Sequence, residues 1–185
     1  FAYDNDNDLD VSLLTHSVHT SRTYVNSNLR NDIDSLAGDR LYRNDGSSFT
    51  DVTQEAGIYS SHIGYGLAVG LSDVDVDGYT YTYISNDFHE HDYLYMNNGD
   101  GTFSESISDR IDHTSRSSMG NDIADYNNDG WPDIISLDML PDDEIIVKMS
   151  AGEDPYDIYQ LKLGFGYEQQ FARNTLQVNL GKGKF

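Results

Sequence analysis

The chain has 185 residues, no cysteine, 11 basic and 32 acidic residues, and a formal net charge of −21. This length suits one ordinary domain or a part of a larger one. The charge argues against a nucleic-acid partner, because a phosphate backbone needs a basic protein face. The lack of cysteine excludes disulfides, cysteine zinc sites and thiol catalysis. No apolar run reaches the roughly 18 to 20 residues that cross a bilayer, so we expect no transmembrane segment.

The acidic residues are unevenly divided between the two types, with 26 Asp and only 6 Glu. Asp favours turns and short chelating loops, whereas a merely solubilising acidic surface would use Glu freely. The 16 Gly and 14 Asn indicate turns as well, and the 14 Tyr favour strands. The composition predicts a turn-rich β protein that carries many carboxylates in its loops.

The first predicted unit spans residues 1–61. It opens with an acidic loop at residues 2–10, Ala-Tyr-Asp-Asn-Asp-Asn-Asp-Leu-Asp, and a strand follows at residues 11–14. A polar insertion occupies residues 15–40. The unit ends in a hairpin at residues 41–49, Leu-Tyr-Arg-Asn-Asp-Gly-Ser-Ser-Phe, because Asp-Gly between apolar runs accepts the positive φ of a tight turn.

The second predicted unit, residues 62–115, repeats this order. A strand at residues 66–71 precedes the acidic loop of residues 73–81, and a second strand follows at residues 81–84. The hairpin signal is at residues 94–103, Leu-Tyr-Met-Asn-Asn-Gly-Asp-Gly-Thr-Phe. Such self-similarity is typical of repeat architectures.

The third predicted unit, residues 116–185, has the clearest loop, Asp-Tyr-Asn-Asn-Asp-Gly-Trp-Pro-Asp at residues 125–133. Strands are expected at residues 122–124 and 134–137, and a hairpin at residues 176–185. A long insertion at residues 138–173 separates them. There Glu153, Asp154 and Pro155 predict a helix start and Gly164 a helix end, so we expect one or two short helices.

The acidic loops have the chemistry of a calcium site. Acidic residues recur at loop positions 1, 3, 5 and 9, Gly at position 6 permits a sharp reversal, and a carbonyl at position 7 completes a cage of oxygens. Hard oxygen ligands in that number suit Ca²⁺ far better than Zn²⁺ or copper. An EF-hand shares the start of this pattern but requires Glu at position 12 and flanking helices. Position 12 is Ile84 or Ser136, which disfavours an EF-hand.

The two alternating motifs resemble the FG-GAP/VCBS repeat, which builds the blades of integrin-α-like β-propellers. Residues 118–130, Ser-Met-Gly-Asn-Asp-Ile-Ala-Asp-Tyr-Asn-Asn-Asp-Gly, and residues 137–142, Leu-Asp-Met-Leu-Pro-Asp, further resemble large bacterial proteins of the ASPIC/UnbV, cartilage-acidic-protein-like group. The resemblance implies an all-β fold, a partial β-propeller with short helical insertions and one Ca²⁺ in each acidic loop. Many members of that group are secreted or are surface lipoproteins near outer-membrane importers.

The resemblance implies up to three structural Ca²⁺ sites with specified ligands. In the third loop the ligands would be Asp125, Asn127, Asp129 and Asp133 by side chain and Trp131 by its carbonyl. In the second they would be Asp73, Asp75, Asp77 and the carbonyl of Tyr79, with Tyr81 where the family has a carboxylate. In the first they would be Asp4, Asp6, Asp10 and the carbonyl of Asp8, with Ala2 at position 1 and Asn7 at the Gly position.

Three blades do not close a ring, since propellers of this kind have roughly seven. Three blades alone would also leave open sheet edges, which pair with other chains. We therefore expect a fragment of a larger propeller; a small open β array is the alternative.

The segment from His89 to Asp92, His-Glu-His-Asp, is the main catalytic candidate. It lacks the His-Glu-x-x-His spacing of a metalloprotease, so we expect a polar loop and no catalytic site. The sequence also has no nucleophile elbow and no nucleotide-binding fingerprint.

These observations predict a calcium-stabilised extracellular or cell-surface module that binds proteins, with glycans as a second ligand class and an outer-membrane transporter complex as the partner implied by resemblance. The insertions, together with Tyr93 and Trp131, would supply the ligand contacts. For Trp131 the favoured alternative is packing against the next blade. The alternatives are a polysaccharide hydrolase or lyase and a purely structural adhesin element.

Overall fold

The structure, a computed structural model, describes residues 1–16, 26–150 and 154–185. Within these residues it contains three antiparallel sheets of three or four strands, one for each predicted alternation of loop and hairpin. The expectation of a β-rich, partial propeller is thereby confirmed. The boundaries of the three units, 1–61, 62–115 and 116–185, stay predictions.

The first sheet has the order β1-β2-β3. Its strands are β1 (Val11–Leu13), β2 (Arg40–Asn44) and β3 (Phe49–Asp51). Val11 pairs with Tyr42, and the Asp-Gly turn sets Asn44 opposite Phe49. The acidic loop therefore leads directly into the strand that pairs with the hairpin.

The second sheet is complete in the order β4-β5-β6-β7. Its strands are β4 (Gly66–Ser72), β5 (Tyr81–Asn86), β6 (Tyr93–Asn97) and β7 (Phe103–Glu105). All residues of β5 and β6 are buried. A strand buried on both faces must be covered from both sides, so this sheet lies between the other two.

The third sheet has the order β12-β10-β9. Its strands are β9 (Ser118–Ala124), β10 (Asp133–Asp138) and β12 (Thr175–Gln177). A small parallel pair accompanies it, formed by β8 (Thr114–Ser115) and β11 (Gln170–Phe171). Among the described residues no strand follows the last turn. There Gly181, Lys182 and Gly183 all have positive φ, which ends regular pairing.

Two apolar clusters hold the sheets together. The first joins Tyr3, Leu41 and Val52 to Ile84, Tyr93, Tyr95 and Phe103 of the second sheet. The second joins Tyr81, Tyr83, Leu94 and Met96 of that sheet to Ile134 of the third. The core is therefore a stack of sheets, with a cluster between each neighbouring pair.

The insertions contain the helices. A 3₁₀-helix, Ser27–Asn31, lies in the first insertion, whose residues 17–25 are outside the described residues. Short helix α1 (Ile107–Arg110) follows the second sheet, and the 138–173 insertion contains α2 (Glu144–Ser150) and α3 (Tyr156–Gly164). One or two helices were expected there, and α3 begins directly after Pro155 and ends at Gly164 as predicted. Glu153, part of the predicted helix start, lies outside the described residues.

No helix in the described part of the chain has the length and apolar character that crossing a membrane requires.

Candidate calcium loops

The three acidic loops share one backbone conformation. Two positions of each loop have positive φ: position 4, at Asn5 (59°), Val76 (58°) and Asn128 (61°), and position 6, at Asn7 (77°), Gly78 (94°) and Gly130 (91°). Left-handed residues at both positions fold the chain back on itself, so side chains at positions 1, 3 and 5 converge. Strands flank the second and third loops, so the helix-flanked EF-hand alternative is wrong.

The carboxylate at position 1 organises the turn. Asp73 accepts hydrogen bonds from the main-chain N–H groups of Asp77 and Gly78, at 3.0 and 2.8 Å. Asp125 accepts the equivalent bonds from Asp129 and Gly130, at 3.0 and 2.9 Å. The first loop has Ala2 at this position and cannot form these bonds. Its turn is therefore less firmly held than the other two.

The second loop brings its three carboxylates closest together. One oxygen each of Asp73, Asp75 and Asp77 lie within 4.8 Å of one another, and no other acidic or histidine group of the described residues converges in this way. The Tyr81 hydroxyl lies 2.9 Å from both Asp75 Oδ1 and Asp77 Oδ2. Partial burial raises the pKa of Asp75, an effect to which the Asp77 and Asp73 charges add. An all-oxygen, mutually repelling donor set fits a hard cation such as Ca²⁺.

The third loop differs from the other two at position 3, where the predicted ligand is the amide of Asn127 instead of a carboxylate. Asn127 Nδ2 donates to Asp129 Oδ2 at 2.9 Å, so in this conformation the amide offsets part of the charge repulsion. The Trp131 indole ring lies 3.5–3.7 Å from where a Gly181 side chain would begin. The Trp131 ring thus packs on the hairpin of its own sheet. The atom of Trp131 that is predicted to bind Ca²⁺ is its main-chain carbonyl oxygen.

The acidic residues at position 9 are buried and fix the hairpins. Asp133 Oδ2 accepts from Tyr126 N–H at 3.1 Å, and its Oδ1 accepts from Asn179 N–H at 2.8 Å. Asp10 repeats this with Tyr3 N–H and Asn44 N–H, both at 3.0 Å. Each oxygen keeps a second lone pair, so a ligand role for these carboxylates fits the contacts. Their role in joining loop to hairpin was not predicted.

The hairpin asparagines are functional positions that the sequence reasoning missed. Asn97 Nδ2 donates to Tyr3 O at 2.6 Å, and Asn179 Nδ2 donates to Val74 O at 2.7 Å. Both acceptors are the position-2 carbonyl of the loop in the preceding sheet. Each amide therefore joins a hairpin to the acidic loop of its neighbour. Their signal in the sequence was the recurrence of Asn at residues 44, 97 and 179, at the same place in each hairpin.

Residues 73–136 match the family model described as FG-GAP-like repeat. The chain carries an FG-GAP-like repeat. The match runs from the second acidic loop into β10 and confirms the resemblance to FG-GAP repeats, without reaching the finer ASPIC/UnbV group. No curated protein matches the chain. FG-GAP repeats form β-propeller-like modules that are often involved in binding, commonly bind calcium and are typical of extracellular proteins.

The His89–Asp92 segment is a polar loop before β6, as the sequence predicts, but most of it is buried. Glu90, His91 and Asp92 are 1%, 0% and 0% exposed. The segment joins β5 to β6, and the carboxylates of Glu90 and Asp92 have partners in the interior. The burial of the loop was not predicted, because a run of charged residues does not indicate the partners that can bury it.

Each buried carboxylate of this segment has several hydrogen-bond donors. Asp92 Oδ2 accepts from the hydroxyls of Tyr83 and Ser118, at 2.6 and 2.8 Å. Glu90 pairs with Arg30, whose Nε lies 3.0 Å from Oε1. Burial raises the pKa of both carboxyls to about 7 and lowers the pKa of His91 to about 3. These contacts link β5, β6 and β9 in the interior.

Tyr93, predicted as an exposed ligand contact, is 1% exposed and packs in the first cluster. Its hydroxyl donates to Glu90 Oε1 at 3.0 Å. That prediction is wrong, because an aromatic residue on a strand covered from both sides belongs to the core.

Proposed function

We propose that the chain is a calcium-stabilised, non-catalytic binding module of an extracellular or cell-surface complex. The observation that carries the proposal is the repetition of one loop conformation in three successive units, with converging carboxylate oxygens in the second loop. Up to three ions would lie in these loops, held by the residues that the sequence predicts. Bound Ca²⁺ would neutralise the carboxylates and favour the folded state by mass action. Millimolar extracellular calcium suits weak loops of this kind.

A protein partner fits the exposed surface of the 138–173 insertion. Helix α2 presents Ile145, Ile146 and Met149, which are 68%, 50% and 81% exposed, and Tyr156 at the start of α3 is 78% exposed. Exposed apolar side chains close together on a surface mark interaction sites. The aliphatic and thioether groups of α2 favour a protein over a glycan, because sugars stack on aromatic faces and this surface has one exposed aromatic, Tyr156. An outer-membrane transporter is the partner suggested by the group that the chain resembles.

The non-catalytic role is supported by the placement of the catalytic candidates. Glu90, His91 and Asp92 lie in the interior, where Glu90 and Asp92 bind groups of other elements, and His89 is half-buried. A polysaccharide chain would have to unfold the sheet to reach them, which argues against the hydrolase or lyase alternative.

Thermal unfolding of the metal-stripped chain tests the calcium role, with millimolar Ca²⁺ compared with millimolar Mg²⁺. We expect a rise in Tm of several degrees with Ca²⁺ and a much smaller one with Mg²⁺, which demands near-ideal octahedral geometry. Asp129→Ala should reduce the rise. Asp142→Ala, an exposed acidic residue outside the loops, should leave it unchanged. An equal rise with both metals, or in both variants, would rule out specific loop sites.

Partner binding is tested separately with purified candidate surface proteins. The double variant Ile145→Ser, Met149→Ser should weaken capture without changing Tm, because both side chains are already exposed. Unchanged capture would exclude the α2 surface as the binding site.

A further inference from the structure

Five dipeptides of the chain can rearrange through a cyclic succinimide, because in each a glycine follows an Asp or an Asn. In this reaction the main-chain nitrogen of the glycine attacks the side-chain carbonyl carbon of the residue before it. Glycine hinders the attack least, since it has no Cβ. The first residue of each dipeptide is exposed, so exposure does not separate the five. The dipeptides are Asp45-Gly46, Asp77-Gly78, Asn98-Gly99, Asp100-Gly101 and Asp129-Gly130.

In the second and third acidic loops, the position-1 carboxylate holds the glycine nitrogen. Gly78 N–H donates to Asp73 Oδ2 at 2.8 Å, and Gly130 N–H donates to Asp125 Oδ2 at 2.9 Å. The attacking nitrogen must lose its proton. Loss of a proton beside a carboxylate is disfavoured, because it brings two negative charges together. The position-1 carboxylates therefore protect the position-5 carboxylates from cyclisation.

The hairpins protect two further glycines with an amide oxygen. Gly46 N–H donates to Asn44 Oδ1 and Gly99 N–H donates to Asn97 Oδ1, both at 2.9 Å. The amide of Asn98, which precedes Gly99, is itself held by two hydroxyls, at 2.9 and 3.1 Å. In both turns a hydrogen bond has to break before the glycine nitrogen can react.

Gly101 is the exception. Among the described residues its N–H has no hydrogen-bond acceptor. Asp100 Oδ1 accepts from the Thr102 N–H at 3.1 Å and from the Thr102 hydroxyl at 2.6 Å, which folds the carboxyl back over the Gly101 peptide. Asp129 Oδ1 accepts from the Trp131 N–H in the same way, at 2.9 Å. The folded carboxyl is therefore shared between turns, whereas the free glycine nitrogen distinguishes the Asp100-Gly101 turn from the other four dipeptides.

We propose that Asp100 is a site of spontaneous isomerisation to isoaspartate. The Gly101 nitrogen forms a bond to Asp100 Cγ, and the carboxyl hydroxyl leaves as water with the proton of that nitrogen. A water molecule then adds to the main-chain carbonyl carbon of Asp100, whose bond to the nitrogen breaks as the nitrogen regains a proton. The main chain then continues through Cγ. The Thr102 hydroxyl, which donates to Oδ1, stabilises the negative charge that develops on this oxygen during the attack.

The product would carry one extra methylene in the main chain of the turn between β6 and β7. This turn lines a cleft together with Tyr3 and Asp4 of the first acidic loop. Isomerisation would therefore change the hairpin at the point where the second sheet lies beside that loop. The proposal does not depend on the binding function or on the α2 surface.

Ageing of the folded chain at neutral pH and physiological temperature tests the assignment. Isoaspartate has the same mass as Asp, so peptide mapping with electron-transfer fragmentation locates it, and methylation by a protein isoaspartate methyltransferase counts it. We expect isoaspartate to form at Asp100 at least about 3-fold faster than at Asp45, since a hydrogen bond protects Asp45 from attack by Gly46. Asp45 is the matched site, because it precedes a glycine in an exposed hairpin and is no predicted metal ligand. Equal rates at the two sites would overturn the proposal.

The same chain in concentrated urea shows what the fold contributes. In the unfolded chain Asp45 and Asp100 should isomerise at similar rates, because no hydrogen bond protects either. Asn98 should react fastest there, since ammonia leaves an amide more readily than water leaves a carboxylate. Folding should lower the rate at Asn98 several-fold relative to the rate at Asp100. Unchanged ratios between the folded and the unfolded chain would mean that the structure does not select Asp100.

A first variant tests the role of the glycine nitrogen. Asn44→Ala removes the acceptor of the Gly46 N–H and should raise the isomerisation rate at Asp45 toward the rate at Asp100. The rate at Asp129 should stay as it is in the wild type, which shows that the chain is still folded. An Asp45 rate that does not change would contradict the protection on which the proposal rests.

A second variant blocks the attack itself. Gly101 has φ of 85°, which Asn tolerates, and a Cβ there meets no atom within 4 Å. Gly101→Asn should therefore lower isoaspartate formation at Asp100 several-fold. Gly46→Asn, at φ of 79° and with the same open space, is the matched control and should leave Asp100 unchanged. A loss of isoaspartate at Asp100 in both variants, or in neither, would refute the assignment.

Discussion

The side-chain amide of Asn179 donates a 2.7 Å hydrogen bond to the carbonyl of Val74, a residue 105 positions earlier in the chain. The same amide donates to Pro132 O at 2.9 Å, and its oxygen accepts from Gly181 N–H at 3.0 Å. Asn97 repeats the arrangement with Tyr3, Thr80 and Gly99. One side chain thus fixes its own turn, its own acidic loop and the loop of the neighbouring sheet.

Replacing Asn97 by Ala should lower the free energy of unfolding by about 2–3 kcal/mol. Asn97 is 5% exposed, and its loss takes the buried Tyr3 carbonyl's 2.6 Å donor away as well as the acceptor of the Gly99 N–H. Asn98→Ala is the control, because Asn98 is exposed in the same turn and bonds only within the hairpin. Urea unfolding measures both variants. Equal losses would show that the contact between sheets contributes nothing beyond the turn.

The loops, hairpins and most strands could be predicted because each is a local pattern. Asp and Gly at fixed spacing specify the turn, and alternating apolar residues specify the strands. The bond from Asn179 to Val74 could not be predicted this way, since it depends on how two sheets pack. Burial of Asp92 escaped prediction for the same reason: its donors Tyr83 and Ser118 lie on other strands.

Replacing Tyr81 by Phe should make the second loop more dependent on calcium. The hydroxyl lies 2.9 Å from carboxylate oxygens of Asp75 and Asp77, and its hydrogen bond offsets their repulsion when no metal is bound. Its loss should destabilise the metal-free chain by about 1 kcal/mol and enlarge the rise in Tm on adding Ca²⁺.

Tyr95→Phe provides the comparison for Tyr81→Phe. Its hydroxyl accepts a 3.0 Å bond from Tyr59 N–H in the first cluster, away from the loops. That variant should lose similar stability with and without Ca²⁺. If the two variants respond to Ca²⁺ alike, the Tyr81 hydroxyl has no specific role in the metal-free loop.

Replacing Val76 by Asn should stabilise the chain by about 0.5–1 kcal/mol. Val76 has φ of 58°, a left-handed conformation that is costly for a β-branched residue. Asn5 and Asn128 occupy the same position in the other two loops with nearly the same φ. Val76 is 60% exposed, so little apolar burial is lost. Val69→Asn, in strand β4, should destabilise instead because Asn is disfavoured in strands. A lower midpoint in urea for Val76→Asn would contradict the argument.

Replacing Asp39 by Asn should weaken the dependence of stability on pH. Burial raises the pKa of Asp39 to about 7 from its usual 3.8, against smaller opposing effects of the Thr15 N–H bond and the Arg40 charge. The folded chain therefore binds this proton more tightly than the unfolded chain. The free energy of unfolding must then fall as pH rises from about 4 to about 7 and level off above that range. Asn can still accept the hydrogen bond from Thr15 N–H. The variant should therefore lose the part of the decrease in the free energy of unfolding that Asp39 causes, which is up to about 4 kcal/mol.

Asp34→Asn is the control of opposite sign for Asp39→Asn. Main-chain N–H groups of Leu36 and Ala37 lower the pKa of Asp34. The Asp34 carboxylate therefore stabilises the fold at pH values above its unfolded pKa. This stabilisation is lost as the pH falls through the lower pKa of the folded state. Removing the Asp34 carboxylate should therefore leave the decrease in the free energy of unfolding between about pH 4 and about pH 7 unchanged. Urea titrations at several pH values compare the three chains. Because Glu90 and Asp92 also have pKa values of about 7, Asp39→Asn should keep a residual slope. A slope identical to that of the wild type would mean that Asp39 is ionised in the folded chain throughout this range.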